Sequence, residues 1–345
     1  MKALVLEEYG QLVYKDVPEP VISKNDDIKI KVKAVSVCGS DIHGFDGSTG
    51  RRKPPVIMGH EVSGIVSETG SSVSLFKPGD KIIINSTLFC GKCPYCLSGR
   101  INLCDNRKVF GVSCDDYRID GAYTEYLVVP ERIVYRIPDD MPFEKAALVE
   151  PLSVGLHAAK ISRAGINKKA VVMGAGTIGL FIIQALKIMG TGKIIAVDID
   201  DEKLGLAEKL GADFTVNSGK QDALEKVSEI LGEGADVVFD VVGIQKVSEQ
   251  GLNMLKKGGQ LILIGLQDKA ISYPVQKMIS NELQIQGSYI SSDEYPDCIE
   301  LLHDGKIDVS WLTDNYVPLS EGAQWFRRMK EKEKGLYKII FNPEK

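Results

Sequence analysis

Apolar and polar residues alternate in two different ways along the chain, and the change between them predicts two domains. Before about residue 150, helical spacing is weak, and short β-rich runs are bounded by Gly, Pro and Asp. These runs are 28–37, 62–68, 81–85 and 123–129. From residue 169 to about 287, six apolar strands alternate with helices, which predicts a doubly wound parallel sheet.

The chain beyond residue 289 does not continue this alternation. Its last apolar run, 337–341, is expected to return to the first domain as a strand. We therefore predict an α/β protein with a discontinuous β-rich domain, residues 1–152 and 290–345. A nucleotide-binding domain of Rossmann type, residues 153–289, is expected to be inserted between those two segments.

The composition is that of an ordinary globular protein and does not favour a general nucleic-acid or membrane partner. The 345 residues are 44% hydrophobic and carry a net charge of −5, so a general nucleic-acid or membrane partner is not expected. Charged residues lie near the start, and the longest uncharged stretch, 170–186, is too short for a membrane span. We expect the protein to be cytoplasmic.

Glycines after the first strand of the inserted domain form the pattern of a dinucleotide-binding turn. The segment reads Gly174, Ala175, Gly176, Thr177, Ile178, Gly179. In G-x-G-x-x-G the first glycine makes the turn, the second admits the pyrophosphate and the third lets helix and strand pack closely. Alternatively, these glycines are only turn residues of a flavodoxin-like sheet.

An acidic residue ends the next predicted strand at the position expected for ribose recognition. Asp198 follows the Gly174 turn closely enough to accept hydrogen bonds from the adenosine ribose hydroxyls, and Lys203 is placed to reach the same ribose. Because a carboxylate repels a 2′-phosphate, NAD is favoured over NADP. The segments with Val242, Gly243 and Ile264, Gly265 end successive strands at the edge where the nicotinamide should lie.

Four of the seven cysteines fall within one short segment. Cys90, Cys93, Cys96 and Cys104 have the spacing C-x2-C-x2-C-x7-C. Four thiolates make a closed tetrahedral zinc site, which has a structural role because no coordination position is left free. Two disulfides or an iron–sulfur cluster are the alternatives.

Further candidate ligands are scattered through the first domain, and their spacing alone does not connect them. Cys38 lies in C-G-S-D-I-H, His60 and Glu61 in G-H-E, and Glu150 in E-P-L-S-V-G-L-H. Together with the cysteine segment and the glycine turn, these motifs resemble those of the zinc-dependent medium-chain dehydrogenases, in the same order. Glu150 makes the chain most similar to the polyol branch, the sorbitol (L-iditol) and galactitol-1-phosphate 5-dehydrogenases.

The resemblance implies a GroES-like catalytic domain and a site with defined roles. Cys38 and His60 would bind a catalytic zinc, with Glu61 or Glu150 as the third ligand and an open position for water or substrate. Asp41 would orient His60. Ser40 would take the alcohol proton and His43 would relay it to solvent. The resemblance also implies that Lys338 lies near a cofactor phosphate.

The loop between the Cys38 and His60 motifs offers candidate substrate contacts. Arg51, Arg52 and Lys53 are three consecutive cations that match phosphate oxygens, and Phe45 is a candidate wall of the pocket. Alternatively, the three cations form a solvated loop or a subunit contact. The family resemblance also implies a homodimer or homotetramer.

We therefore expect an enzyme with two zinc ions per chain that transfers hydride between NAD and a secondary alcohol of a polyol or polyol phosphate, giving a ketose. One alternative is a threonine or 2,3-butanediol dehydrogenase of the same family. Another, of a different class, is a non-catalytic nucleotide-binding protein of the crystallin type. Relatives of that class typically lack the metal-binding residues that this chain keeps at Cys38 and His60.

Overall fold

A computed structural model describes residues 1–345 and divides into two compact units. The first unit comprises Met1–Glu150 and Tyr295–Lys345, and the second comprises Pro151–Glu294. The predicted boundaries after residues 152 and 289 lie close to these. No helix is both long and apolar enough to cross a lipid bilayer.

The first segment of the first unit is rich in strands, as its alternating pattern predicts. The strand Asp27–Ser36 shows why: its lysines alternate with buried Ile28, Ile30 and Val32. Its strands are β1 (Lys2–Glu8), β2 (Gln11–Asp16), β3 (Asp27–Ser36), β4 (Val56–Ile57), β5 (Glu61–Thr69), β6 (Lys81–Ile84), β7 (Thr87–Leu88), β8 (Lys108–Val109), β9 (Val112–Ser113), β10 (Arg118–Ile119), β11 (Tyr126–Pro130) and β12 (Val134–Arg136). Its helices are α1 (Gly39–Phe45), α2 (Pro94–Leu97) and α3 (Phe143–Ala146), with 3₁₀ turns at Ile101–Leu103 and Glu131–Ile133.

The second unit confirms the predicted doubly wound parallel sheet. The chain runs through α4 (Val149–Lys160), β13 (Lys169–Met173), α5 (Thr177–Ile188), β14 (Lys193–Asp198), α6 (Asp201–Lys209), β15 (Phe214–Asn217), α7 (Ala223–Leu231), β16 (Ala235–Asp240), α8 (Gln245–Asn253), β17 (Leu255–Leu263), α9 (Val275–Ser280) and β18 (Gln284–Gly287). The strands lie in the order β15-β14-β13-β16-β17-β18, and every pairing is parallel. The order of strands reverses between β13 and β16, and such a switch point opens a binding crevice at the carboxyl ends of the strands.

The chain then returns to the first unit. The returning elements are α10 (Tyr295–His303), a 3₁₀ turn at Ser310–Leu312, β19 (Tyr316–Pro318), a 3₁₀ turn at Leu319–Glu321, α11 (Gly322–Lys330) and β20 (Ile340–Asn342). β20 lies between β3 and β19 in the sheet β12-β6-β5-β3-β20-β19, where Ile340 pairs with Ser36. This pairing carries the residues just before β20 to the end of β3.

Candidate active site and metal centres

Three potential metal ligands of different chemistry meet in the first unit. The ligand atoms of Cys38, His60 and Glu61 all lie within 4.8 Å of one another. Cys38 caps the N-terminus of α1, whereas Glu61 begins β5 opposite Ser36 of β3. A thiolate, an imidazole and a carboxylate fit zinc, and three protein ligands leave a fourth position for a reacting group.

Glu61 is tied to two other buried side chains. The ammonium of Lys338 lies 2.9 Å from Oε1 and 2.6 Å from Oε2 of Glu61, and the hydroxyl of Ser36 donates to Oε2. Burial opposes the charged form of Lys338, but the Glu61 carboxylate outweighs it and raises the pKa of Lys338. The carboxylate of Glu61, one member of the ligand group, is therefore neutralised by a buried lysine.

Glu150 lies near the same centre but outside the group of three. It is buried, and its Oε1 accepts a 2.9 Å hydrogen bond from the hydroxyl of Ser86. Burial, aided by the Glu61 carboxylate, raises the pKa of Glu150 to about 7. Without a metal, Glu150 is thus poised between its neutral and charged forms near neutral pH.

His60 is buried beside an anion. Its Nδ1 has no hydrogen-bond partner, and the carboxylate oxygen Oδ1 of Asp41 lies 3.6 Å away. Burial disfavours the charged ring, yet Asp41 and then Cys38 outweigh that effect and raise the pKa of His60 to about 10 in the metal-free chain. Burial acts to raise the pKa of Asp41 as well, but His60 and Arg52 lower it below its usual value.

Ser40 and His43 lie on the exposed part of α1, next to Cys38. They are three residues apart, and residues at this spacing share one face of a helix. Both side chains are exposed, so His43 is open to solvent, as a proton relay requires. The hydroxyl of Ser40 also lies 3.4 Å from the guanidinium of Arg52.

Four cysteines form a second ligand group in the first unit. The sulfur atoms of Cys90, Cys93, Cys96 and Cys104 lie within 4.8 Å of one another, and all four are free thiols. The sulfur atoms of Cys93 and Cys96 are 3.5 Å apart and those of Cys90 and Cys96 are 4.0 Å apart. Zinc–sulfur bonds of about 2.3 Å in a tetrahedron separate the sulfur atoms by about 3.8 Å, so the group fits zinc.

Backbone groups around this cluster favour thiolates. The N–H groups of Lys92 and Cys93 lower the pKa of Cys90 to about 6. The N–H groups of Cys90 and Asn106 also donate to the sulfur of Cys104, at 3.2 and 3.3 Å. In the opposite sense, burial raises the pKa of Cys96 to about 12, so a bound metal would have to displace the proton of that thiol.

In the second unit, the glycine turn has the geometry that its motif predicts. Gly174 has φ +102°, which L residues rarely adopt, and a Cβ on Gly179 would lie 1.9 Å from the carbonyl oxygen of Gly174. A Cβ on Gly176 would instead project into open space. Thr177 and Ile178 open α5 beside that space, where a helix N-terminus attracts a phosphate.

Asp198 ends β14 beside the glycine turn. Its Oδ2 accepts a 2.7 Å hydrogen bond from the N–H of Ala175, and its Oδ1 accepts from Ile199 and Asp200 at 2.7 and 3.1 Å. Asp200 in turn caps α6 and receives the N–H of Lys203, whose side chain lies in the first turn of that helix. The turn and the acidic residue therefore share one corner of the sheet.

The two other predicted cofactor segments pack against each other. A Cβ on Gly243 would lie 2.2 Å from the backbone of Gly265, and one on Gly265 would lie 2.2 Å from the backbone of Val242. The N–H of Ile264 donates to the Asp240 carbonyl at 2.9 Å. Glycine is thus required where the turns after β16 and β17 touch, next to the switch point.

The loop residues predicted to contact substrate do not form a group of free cations. Arg51 is exposed, Lys53 is paired with Asp115, and Arg52 is 4% exposed with its guanidinium on Asp41. Phe45 is also buried, because it packs against Phe326 in the core of the first unit. Arg52 and Phe45 therefore have structural partners in place of the substrate contacts predicted for them.

Several residues of the site carry no local signal in the sequence. Lys338 was expected at a cofactor phosphate, yet its ammonium lies on Glu61. Tyr123 hydrogen-bonds Asp41, and Ser36 and Ser86 bond the two glutamates, although each contact joins residues 25 or more positions apart. The strand pairing β3–β5 is the one pattern that could have connected Ser36 with Glu61.

Comparisons with known proteins agree with these two units. Residues 24–139 match the alcohol dehydrogenase GroES-like domain, and residues 177–304 match the zinc-binding dehydrogenase domain. The chain is 33% identical to the sorbitol dehydrogenase of Bacillus subtilis, over 100% of this chain and 98% of that protein.

Solved structures of similar proteins cover the whole chain. The galactitol-1-phosphate dehydrogenase of Escherichia coli has a TM-score of 0.91 at 29% identity and covers 99% of this chain and 100% of its own. The 2R,3R-butanediol dehydrogenase of Bacillus subtilis has a TM-score of 0.88 at 29% identity, with 99% of each chain covered. With its mixed ligand group, its cysteine cluster and its parallel sheet, the chain belongs to the zinc-dependent medium-chain dehydrogenases, in their polyol dehydrogenase branch.

Proposed function

We propose that this enzyme oxidises a secondary alcohol of a neutral polyol to the ketose with NAD as hydride acceptor, and that each chain holds one catalytic and one structural zinc. The observation that carries the proposal is the group of Cys38, His60 and Glu61, three unlike ligands with an exposed hydroxyl, Ser40, beside them. A closed site of four cysteines offers no such open position.

We assign Glu61 as the third ligand of the catalytic metal. Its carboxylate lies within 4.8 Å of the Cys38 and His60 ligand atoms, whereas Glu150 lies outside this group. Lys338 and Ser36 orient the Glu61 carboxylate, and Ser86 orients that of Glu150. Zinc bound there supplies a Lewis acid that makes an alcohol proton easier to remove.

The chain's own groups then bind the substrate and move its proton. Ser40 Oγ accepts the proton of the substrate hydroxyl as it releases its own towards His43, three residues later on α1, which passes a proton on to solvent. The carboxylate of Glu150, hydrogen-bonded to Ser86, is a candidate second contact for the metal or its water.

The second unit supplies the nucleotide site, and its acidic corner favours NAD over NADP. Gly174 and Gly179 shape the turn, the open space at Gly176 admits the pyrophosphate, and bound NAD supplies the hydride acceptor. A 2′-phosphate at Asp198 would also approach Asp200 and Asp201, three carboxylates within four residues. Such like charges disfavour NADP.

The substrate is assigned as unphosphorylated because the basic loop is occupied by other contacts. Arg52 is buried on Asp41 and Lys53 is paired with Asp115, which leaves Arg51 as the one exposed cation of the three without a side-chain ion pair. The likeness to a butanediol dehydrogenase supports a short diol as a second candidate. A homodimer or homotetramer in the cytoplasm stays a prediction.

A substrate panel tests this proposal. Sugar alcohols, their 1-phosphates, threonine and 2,3-butanediol would each be offered with NAD or NADP while the absorbance of the reduced nicotinamide is followed. We expect the highest kcat/KM with a neutral polyol and NAD, and a loss of about 10²–10⁴ in kcat for Ser40→Ala. A preference for the phosphates that Arg51→Ala abolishes would contradict the neutral substrate, and a preference for NADP would contradict the role of Asp198.

Metal analysis tests the ligand assignment. We expect two zinc ions per chain, one after Cys38→Ser, and weaker catalytic-site binding in Glu61→Gln than in Glu150→Gln. If Glu150→Gln loses the catalytic zinc and Glu61→Gln keeps it, the assignment of the third ligand is reversed. A wild-type chain that holds no catalytic zinc and reduces NAD with no alcohol would refute the proposed function.

A further inference from the structure

The carboxylate of Asp41 is fully buried, and three side chains converge on it. Arg52 contacts Oδ1 through Nη2 at 3.1 Å and Nε at 3.3 Å, and the hydroxyl of Tyr123 donates to Oδ2 at 2.8 Å. The N–H of Cys38 also lies 3.3 Å from Oδ2. His60 approaches from the remaining side, with its Nδ1 3.6 Å from Oδ1.

We propose that Arg52 and Tyr123 are positioning residues of the catalytic metal centre, which hold Asp41 as an oriented anion behind the His60 ring. This inference rests on the proposed zinc site. An imidazole that ligates a metal through one nitrogen is oriented by the hydrogen bond that its other nitrogen donates. Oδ1 of Asp41 lies 3.6 Å from the Nδ1 of His60, which has no hydrogen-bond partner in the metal-free chain.

Asp41 needs both partners to satisfy the lone pairs of its buried carboxylate. A carboxylate has about four acceptor positions, and a buried one is costly unless it is paired and hydrogen-bonded. Tyr123 and the N–H of Cys38 fill Oδ2, whereas Arg52 neutralises Oδ1 and leaves it facing His60. Removing either partner would free the carboxylate to turn away from the ring.

The path of the Arg52 side chain shows that this contact is built into the fold. Arg52 leaves its loop beside Ser113, to which it is bridged, and its stem crosses α1 at Gly44. A Cβ on Gly44 would lie 2.1 Å from Cγ of Arg52, so any larger residue at position 44 would block the side chain. A cation directed at solvent or at a substrate phosphate would need no such opening in the helix.

Tyr123 is fixed by its ring and not only by its hydroxyl. The buried ring packs edge-on against Phe326 and Phe341, at centroid distances of 5.8 and 5.4 Å. Tyr123→Phe therefore keeps the aromatic packing and deletes one hydrogen bond. This substitution separates the contact with Asp41 from the contribution of the ring to the core.

Metal binding, measured without turnover, tests the inference. The protein would be loaded with cobalt(II) at the catalytic site, and its visible ligand-field spectrum and the rate of zinc release to a chelator would be recorded for Tyr123→Phe, Arg52→Gln and Arg52→Lys. We expect an altered spectrum and an affinity for metal at this site that is about 10- to 100-fold lower in the first two variants. Arg52→Lys should keep part of the metal affinity that Arg52→Gln loses, because lysine retains the positive charge but lacks the bidentate guanidinium.

Matched controls separate positioning from general stability. Arg51→Gln removes the exposed neighbouring cation, and Tyr126→Phe removes a hydroxyl from β11, so both should leave spectrum and zinc release unchanged. The zinc at the cysteine cluster should remain in every variant. If Arg52→Gln does not fold, the cobalt spectrum and zinc release of Tyr123→Phe test the positioning role.

Two results would overturn the inference: a folded Tyr123→Phe protein with the wild-type spectrum and release rate, or a wild-type chain that takes no cobalt at this site. Failure of the proposed function is distinguishable from either result. A chain that oxidises no alcohol but whose cobalt spectrum responds to Tyr123→Phe would refute the activity and support the positioning role.

Discussion

The ammonium of Lys338 and the carboxylate of Glu61 form an ion pair with a nitrogen–oxygen distance of 2.6 Å, and their side chains are 4% and 0% exposed. A buried ion pair contributes little net stability, but removal of one partner leaves the other charge uncompensated. Lys338 therefore balances the negative charge of Glu61, so that this candidate ligand can be buried without an uncompensated charge.

Lys338→Met should destabilise the metal-free protein by about 3–5 kcal/mol, because Glu61 is left buried without its counter-ion. Unfolding in urea, monitored by circular dichroism, measures this loss. Lys31→Met is the matched control, since its pair with Glu344 is substantially exposed and such pairs contribute less than about 1 kcal/mol. Equal effects of the two substitutions would show that burial of the pair has no energetic consequence.

Cys96→Ser should release the structural zinc and leave the catalytic one. Zinc content should fall by one ion per chain, and the stabilisation that the ion provides should be lost, about 4 kcal/mol for a metal present at a thousand times its Kd. Cys114→Ser serves as the control because Cys114 belongs to neither ligand group. If zinc content is unchanged in Cys96→Ser, the cysteine cluster does not hold a metal.

Gly179→Ala should weaken NAD binding, because the added Cβ would lie 1.9 Å from the Gly174 carbonyl oxygen and displace the phosphate turn. A misfit of about 1–3 kcal/mol corresponds to about a 5- to 150-fold increase in Kd. Gly205→Ala on α6 meets open space and should be neutral or stabilising by up to about 1 kcal/mol. Calorimetric titration with NAD compares the two variants; equal affinities would contradict the role of the turn.

Glu294→Gln should reduce stability at neutral pH and have little effect in acid. Burial acts to raise the pKa of Glu294, but the 2.8 Å contact with His157 outweighs it and lowers that pKa below its ordinary value of 4.5. A carboxyl whose pKa is lower in the folded state stabilises fully above its unfolded pKa, and this contribution is lost as pH falls through the folded value.

The difference in unfolding free energy between wild type and Glu294→Gln should therefore be about 1.5–3 kcal/mol at pH 7 and shrink below about pH 4.5. Urea unfolding over this pH range measures it. Glu300→Gln, which removes an exposed carboxylate from α10, is the matched control. A difference that persists undiminished at pH 3 would exclude the ionised carboxylate as its source.

Local motifs explain what the sequence could predict. The parallel sheet, the glycine turn and the cysteine cluster are each set by residues close together in the chain, so periodicity and spacing suffice. The candidate ligands Cys38 and Glu61 needed the family resemblance, although Cys38 follows β3 and Glu61 begins β5, its neighbour in the sheet.

Contacts between distant segments explain what the sequence could not predict. Arg52 is one of three consecutive cations, and such a run normally indicates a solvated loop; only the opening at Gly44 lets one of them reach Asp41. Lys338 and Glu61 are 277 positions apart, and no periodicity connects them. Arg52 and Lys338 each pair with a buried carboxylate. Which charged groups are buried and need such a partner depends on the tertiary structure and not on the local sequence pattern.

The insertion of β20 between β3 and β19 has a consequence for biosynthesis. The ribosome makes Cys38, His60 and Glu61 early, then the whole contiguous second unit, and only afterwards Lys338 and β20. Domains generally fold as units while the chain emerges, so the second unit can be complete while β3 still lacks its neighbour β20. Until the C-terminal segment is made, Glu61 has no lysine partner, so the candidate metal centre cannot be completed before the second unit has been synthesised.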